Sequence, residues 1–197
     1  EGKPPANALL FRGAGQLPEI QSIRDRYGLR AACIAPNALV RGVAVAVGME
    51  PLEVEGATGD YLTNAIAKGR AAIKALGEYD LVVIHFKATD NASHDGDLGK
   101  KLEMIKKLDS MVGLLLREAD LSDTFIALIA DHATPLCLRE HSGDPVPVAI
   151  AGPCVLSDDV TALSERACSK GFLGTIRGAD LMPILTNLMG KAKKFGA

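Results

Sequence analysis

Tryptophan is absent from this 197-residue chain, and Phe, Tyr and Trp together make up only 4% of it. Stacking platforms for single-stranded nucleic acid are built from aromatic side chains, so their scarcity argues against that class of function. The formal net charge of −2 points the same way, because binding to a phosphate backbone normally requires a basic face. We therefore expect a protein that does not bind nucleic acid.

Long apolar runs are also missing, since none approaches the ~18 residues that a membrane span needs. The chain shows no signal-peptide pattern. Its four cysteines form no CxxC pair and have no zinc-knuckle spacing; they are Cys33, Cys137, Cys154 and Cys168. We interpret them as free thiols in a reducing compartment, so the expected location is cytoplasmic and away from membranes.

Short apolar runs alternate with helix-like stretches along the chain. The runs lie at 8–11, 29–35, 80–86, 124–130 and 146–152. They are apolar nearly throughout, as in strands that a parallel sheet buries on both faces. Helical patterns lie at about 17–27, 37–48, 63–79, 97–120 and from Gly178 to near Gly190. The alternation predicts an α/β fold, a three-layer sandwich with a mostly parallel sheet.

Acidic and imidazole side chains follow two of the predicted strands. Asp90 and His94 come after the run LVVIHF at i, i+4, a spacing that puts both on one side of a turn or helix start. Asp131 and His132 directly follow TFIALIA, and His141 comes shortly afterwards. Because parallel strands deliver the loops at their carboxyl ends to one edge of the sheet, we expect these five side chains to converge.

Two carboxylates and three imidazoles form a mixed oxygen and nitrogen ligand set. Such a set suits Zn²⁺ or Mn²⁺ better than Ca²⁺, which prefers oxygen alone. Five ligands are too many for one catalytic ion that must keep an open position. They fit as part of the ligand set of a two-metal site, which binds both the attacking and the leaving oxygen in phosphoryl transfer.

The order and spacing of these Asp and His residues resemble those of the C-terminal metal-binding half of the alkaline phosphatase superfamily. Within that superfamily, the sequence motifs are closer to those of the cofactor-independent (2,3-bisphosphoglycerate-independent) phosphoglycerate mutases of the archaeal type. The supporting segments are FRGAG (11–15), GATGDY (56–61), HFKATDNASHDGD (85–97), DHATP (131–135), HSGDPVPV (141–148) and KGFLGTIRGADLMPILTNLMGKAKKFG (170–196). The resemblance covers nearly the whole chain and implies part of an alkaline-phosphatase-like fold.

The resemblance implies two divalent ions, Mn²⁺ or Zn²⁺, and a phosphoglycerate substrate. One ion would be held by Asp90, His94 and His141. The other would be held by Asp131 and His132 together with a further Asp and a nucleophilic Ser. That serine would take the phosphoryl group from one glycerate hydroxyl and return it to the other, so that 2-phosphoglycerate and 3-phosphoglycerate interconvert in glycolysis and gluconeogenesis.

The chain departs from the family pattern at its beginning. It opens with Glu1-Gly2-Lys3, and the resemblance enters near the family's middle, past the segment that carries the serine and the further aspartate. We therefore expect residues 1–197 to be the C-terminal part of a metal-dependent phosphatase-like domain. Residues 1–28 would be the tail of, or return from, an inserted substrate domain. Alone, the chain should be inactive as a mutase with an incomplete second metal site, and its partner would be the N-terminal half of the same polypeptide.

The remaining polar candidates have supporting roles in this reading. For the trianionic substrate we expect Arg12, beside glycines in FRGAG, and Lys87, directly after a strand; Arg41 is a weaker candidate. Asp95 either orients a ligand histidine or simply opens a helix. No hydroxyl near the ligands has the context of a nucleophile, and we interpret all three as local hydrogen bonders: Ser93, Thr134 and Ser142.

Two alternatives stay open at this point. The chain could belong to a relative with the same metal ligands, such as a phosphatase, a kinase-like enzyme or a homologue labelled phosphonopyruvate decarboxylase. It could also be a non-catalytic domain that only binds metal.

Overall fold

The computed structural model describes residues 2, 7–9, 11, 13–16 and 18–192. Helices and strands alternate through most of that length. In chain order they are α1 Ile23–Tyr27, β1 Ala31–Ile34, α2 Ala38–Ala46, β2 Glu50–Pro51, α3 Ala65–Ala75, β3 Leu81–Ile84, α4 Ala88–Asp95, α5 Leu98–Glu118, β4 Ile126–Ile129, β5 Val148–Ala151, α6 Glu165–Cys168 and α7 Leu181–Leu188. A 3₁₀ turn, Gly178–Asp180, leads into α7.

The first three strands form a parallel sheet in the order β2-β1-β3. Ala31 lies opposite Leu81, and Ile34 lies opposite Ile84. All four residues of β1 are buried, as its unbroken apolar sequence predicts for a central parallel strand. The α/β class and the parallel sheet predicted from the sequence are confirmed.

Helices complete the layers around this sheet. Residues of α1, α2 and α7 pack against side chains of β1 and β3, in clusters centred on Ala31 and Cys33. Helix α3 contacts β1 and β3, and α5 packs on α3 and α4. The approach of α5 to α3 is close at Gly69, where an added Cβ would lie 2.8 Å from Leu114 Cδ2.

The last two strands depart from the expected single parallel sheet. β4 and β5 pair antiparallel with each other, with Ile126 opposite Ala151 and Ile129 opposite Val148. The segment between them contains no helix. A parallel return needs a long crossover, usually helical, so the second strand of this pair comes back antiparallel. The described residues of the predicted strand 8–11, which are 8, 9 and 11, are not in a strand.

Helix starts follow local capping chemistry. Asp97 Oδ1 accepts a hydrogen bond of 2.8 Å from the backbone N–H of Lys100, so Asp97 is the N-cap of α5, at the first residue of the helical pattern predicted at about 97–120. Within the helix predicted at about 17–27, residues 18–21 are not helical, and α1 begins after its N-cap, Ser22. In residues 18–192, no helix combines the length and apolar character that a bilayer span requires.

Lys68 is a fully buried lysine on α3, with 0% of its surface exposed. Its ammonium donates hydrogen bonds to the carbonyls of Thr58, at 3.1 Å, and His85, at 3.2 Å. Burial lowers the pKa of Lys68 to about 8, although the charge of Asp60 acts in the opposite direction. The folded chain therefore holds this proton less tightly than the unfolded chain does.

We expect Lys68 to make the free energy of unfolding depend on pH. Between pH ~8 and ~10.4, the ordinary lysine pKa, the unfolded chain binds more protons, so stability should rise with pH and level off above that window. Below pH ~8 both states carry the proton and Lys68 adds no slope. Urea unfolding of the wild type and Lys68→Met at pH 7, 9 and 10.5 measures this rise. An equal rise in both proteins would contradict the assignment.

Candidate metal centre

Helix α4 places Asp90 and His94 on one side of the sheet edge, just after β3. Their i, i+4 spacing brings Asp90 Oδ1 to 3.3 Å from His94 Nε2. The helix stops at Gly96, whose φ of 71° lies in the left-handed region that favours glycine. The stretch 89–97 is therefore a short helix followed at once by the N-cap of α5, with both candidate ligands on the short helix.

His141 reaches the same point from the segment after β4. Residues 131–142 turn back on themselves through an antiparallel bridge, in which the Ser142 N–H donates to the Ala133 carbonyl at 3.0 Å. This return stacks the His141 ring on that of His132, with centroids 3.7 Å apart. It also brings His141 Nε2 to 3.6 Å from Asp90 Oδ1.

The side chains of Asp90, His94 and His141 form a group with suitable donor atoms for one metal ion. Ligands at about 2.1 Å from a tetrahedral ion lie about 3.4 Å from one another. The two histidine Nε2 atoms are 3.2 Å apart, and their distances to Asp90 Oδ1 are 3.3 and 3.6 Å. All the ligand atoms of the group lie within 4.8 Å of one another. The spacing and the nitrogen and oxygen donors therefore fit a divalent ion.

A backbone carbonyl orients one of these ligands. His94 Nδ1 lies 2.8 Å from the carbonyl oxygen of Arg139, a residue with a φ of 54°. When Nδ1 carries the proton and donates it to this carbonyl, Nε2 keeps its lone pair for a metal, the arrangement usual for metal-binding histidines. Sequence reasoning missed this contact because every residue has a backbone carbonyl, so no residue type signals it.

Asp131 and His132 lie beside the group. His132 Nε2 is 3.5 Å from Asp131 Oδ2, and His132 Nδ1 is 3.1 Å from Thr134 Oγ1. Thr134 in turn donates its hydroxyl to Asp90 Oδ1 at 2.8 Å. The structure thus brings all five predicted ligands into one neighbourhood, with three facing one another and two at the edge. The side chain of Asp131 is 71% exposed.

Asp90 is the electrostatic centre of the group. Burial by itself raises its pKa, but hydrogen bonds from Lys87 and Thr134 and the Lys87 charge outweigh that effect, so the pKa of Asp90 is lowered. Lys87 is paired with the second oxygen, Oδ2, whereas Oδ1 faces the imidazoles. The carboxylate therefore stays ionised and keeps one oxygen directed at the histidines.

Other predicted site residues lie in different places. Arg41 is ion-paired with Glu53 at 2.6 Å, away from this group of contacts. Asp95 accepts a hydrogen bond from the Tyr61 hydroxyl, and burial together with this bond raises the pKa of Tyr61 to about 12. Arg12 lies outside the described residues.

The two serines near the ligands donate hydrogen bonds locally. Ser93 donates to the Thr89 carbonyl at 3.1 Å, inside α4. Ser142 donates to Asp144 Oδ2 at 2.6 Å. Neither hydrogen bond connects a serine hydroxyl with one of the candidate metal ligands.

A family model described as the metalloenzyme superfamily matches residues 2–188. The chain therefore belongs to the metalloenzyme superfamily. Together with the group of Asp90, His94 and His141, this membership supports the use of a divalent metal ion.

Proteins named 2,3-bisphosphoglycerate-independent phosphoglycerate mutase are similar to the whole chain. Those of Pyrococcus horikoshii and Thermococcus kodakarensis are 48% and 46% identical, and each alignment covers 100% of this chain and 48% of the relative. One from Methanocaldococcus jannaschii is 42% identical with the same coverage. The chain thus spans about half the length of the curated relatives it matches. The resemblance described from the sequence is confirmed.

Solved structures share the fold. A Pyrococcus horikoshii protein superposes with a TM-score of 0.91 at 46% identity, over 94% of this chain and 57% of the other. A cofactor-independent phosphoglycerate mutase from Thermoplasma acidophilum superposes with a TM-score of 0.67 at 23% identity, over 96% of this chain and 45% of the other. The second comparison establishes a common fold.

Asp90→Asn should weaken metal binding by at least about tenfold, because the amide keeps the size of the ligand but loses its charge. Asp144→Asn is the matched control, since Asp144 is bonded to Ser142 and lies outside the group. Titration of the purified chains with Mn²⁺ and Zn²⁺ by calorimetry measures the difference. Equal affinities in the two variants would contradict the assigned site.

Proposed function

We propose that this chain is the metal-bearing part of a phosphoglycerate mutase that interconverts 2-phosphoglycerate and 3-phosphoglycerate. The observation that carries the proposal is the group of Asp90, His94 and His141, with Asp131 and His132 beside it. The names of similar proteins supply the reaction, since proteins that are 42–48% identical over the full length of this chain are named as this mutase. A cytoplasmic location belongs to the same proposal.

Each of the five candidate ligands has a place in this proposal. Asp90, His94 and His141 would hold one ion, and Asp131 with His132 would contribute to a second; Mn²⁺ and Zn²⁺ both suit these donors. When bound, such ions polarise a phosphoryl oxygen and lower the pKa of an attacking hydroxyl. Within the chain, a proton on His94 Nδ1 that is donated to the Arg139 carbonyl would leave Nε2 available to a metal, and the Thr134 hydroxyl donates a hydrogen bond to Asp90.

Lys87 is the cation best placed to meet an anionic substrate. It directly precedes α4 and is paired with Asp90 Oδ2, on the oxygen that does not face the histidines. Its side chain remains 28% exposed. A phosphoryl oxygen held near the metal group would therefore lie within reach of this ammonium, which supports a substrate-binding role. Arg41, engaged with Glu53, has weaker support.

The arrangement and exposure of the strands support the proposal that a further segment packs against this chain. β3 and β4 both lead to the metal group, yet in residues 18–192 they belong to separate sheets. Every residue of β3 is only half-buried, and β5 alternates between half-buried and exposed although it is entirely apolar. We propose that the part of the longer relatives that this chain does not match covers these strands. It would also supply the phosphoryl-accepting serine and the remaining metal ligand.

A chimera tests the proposed reaction. We expect a polypeptide that joins this chain to the preceding half of the Pyrococcus horikoshii relative to convert 3-phosphoglycerate to 2-phosphoglycerate when Mn²⁺ is supplied. The isolated chain should show no turnover. A coupled enolase assay measures the product. His132→Ala in the chimera should abolish turnover, whereas release of inorganic phosphate in place of isomerisation would favour the phosphatase alternative.

Lys87→Met in the same chimera should raise KM for 3-phosphoglycerate about tenfold or more, because a charge-assisted contact to the phosphoryl group is lost. Lys191→Met is the matched control, since Lys191 also pairs with an aspartate, Asp80, at 2.7 Å. That pair lies at the start of β3, at the opposite end of the strand from Lys87. Steady-state kinetics that gave both variants the same KM would contradict a substrate role for Lys87.

A further inference from the structure

The loop at residues 56–61, Gly56-Ala57-Thr58-Gly59-Asp60-Tyr61, is held by side chains from three helices. Three of its carbonyls each accept a hydrogen bond from a different helix. Lys68 on α3 donates to Thr58 at 3.1 Å, Asn91 on α4 to Gly59 at 2.9 Å, and Lys107 on α5 to Tyr61 at 2.8 Å. Side-chain donors that fix so many carbonyls of one short loop make it a rigid element of the fold.

The loop is also braced internally. Asp60 Oδ1 accepts hydrogen bonds from the Thr58 hydroxyl at 2.6 Å and from the Leu62 N–H at 2.8 Å. Gly56 has a φ of 74° and closes the loop, where its carbonyl accepts from the N–H of Asn64 at 2.8 Å. The loop therefore keeps its own shape and can act as a fixed surface for its neighbours.

Helix α4 depends on such a surface. It has only eight residues, and Lys87 at its N-cap makes no side-chain capping bond. A helix of two turns is not stable by itself in water, so tertiary contacts must hold it in place. Two of these contacts come from the 56–61 loop: the bond from Asn91 in the first turn, and the bond from the Tyr61 hydroxyl to Asp95 at the end.

The same loop fixes the entry to α4. The Lys68 ammonium bonds the loop at Thr58 and also the His85 carbonyl at 3.2 Å, directly after β3. The loop is thus linked through Lys68 to the segment before α4, and it contacts α4 itself in the first turn and at the end. The two candidate ligands on α4 lie next to the two contacts on that helix, because Asp90 directly precedes Asn91 and His94 directly precedes Asp95.

We propose that the 56–61 loop positions the candidate metal ligands Asp90 and His94. It does so through two positioning residues, Tyr61 in the loop and Asn91 on α4. The inference rests on the proposed metal centre. It also gives Asp95 a role, because its carboxylate links the last turn of α4 to Tyr61 and does not contact the ring of His94 in the described hydrogen bonds. Neither Tyr61 nor Asn91 belongs to the group of candidate ligands, Asp90, His94 and His141.

Cobalt binding tests the proposal, because the visible absorption of Co²⁺ reports the geometry of its ligands. We expect Tyr61→Phe and Asn91→Ala to bind Co²⁺ roughly tenfold or more weakly than the wild type, with an altered absorption spectrum. Tyr79→Phe is the matched control for Tyr61→Phe, since the pKa of Tyr79 is also raised by hydrogen bonding to a carboxylate, that of Glu50, but at the other end of the fold. Ser93→Ala controls for Asn91→Ala, because it removes a hydrogen bond inside α4.

Each outcome of this experiment decides the proposal. Wild-type affinity and spectrum in Tyr61→Phe would overturn it while leaving the metal centre intact. Equal losses in Tyr79→Phe would also overturn it, by showing that general destabilisation is the cause. Failure of the wild-type chain to bind Co²⁺ would overturn the metal centre and, with it, the positioning role. If Asn91→Ala does not fold, Tyr61→Phe alone decides, because it removes a single hydroxyl from a half-buried side chain.

Discussion

The carboxylate of Asp90 is the group on which the rest of the site depends. One oxygen accepts the Thr134 hydroxyl and faces the two imidazoles, and the other is paired with Lys87. Only 12% of this side chain is exposed, and a carboxylate so enclosed needs hydrogen bonds and positive charge around it. The positions of α4, of the segment 131–142 and of Lys87 are therefore coupled through a single side chain.

The same coupling links stability to function in this fold. Helix α4 is too short to form alone, so the contacts that keep it folded are also those that place two metal ligands. Lys68 shows the cost of this arrangement: it is fully buried and has a lowered pKa, yet it ties a loop to the end of β3. Burying a cation there is unfavourable by itself, and its two carbonyl partners offset part of that penalty.

Much of the fold was predictable because its signals are local. Unbroken apolar runs identified β1 and β3, and the helical pattern at about 97–120 identified α5. The antiparallel return of β5 was not predictable from its sequence, since VPVAIAG is as apolar as a parallel core strand. Its direction depends on the segment 131–142, which folds back through the bridge between Ala133 and Ser142 and forms no crossover helix.

For the site, the sequence by itself determined the chemical types and their order: two acids and three histidines at the ends of two strands. Residue type and spacing are properties of the chain, so they can be read without coordinates. Only the tertiary structure decided that Asp90, His94 and His141 face one another, that the Arg139 carbonyl orients His94, and that the 56–61 loop holds α4. The contacts of His141, of the Arg139 carbonyl and of the 56–61 loop with α4 join residues more than 30 positions apart, and several use backbone carbonyls, which every residue has and no sequence pattern distinguishes.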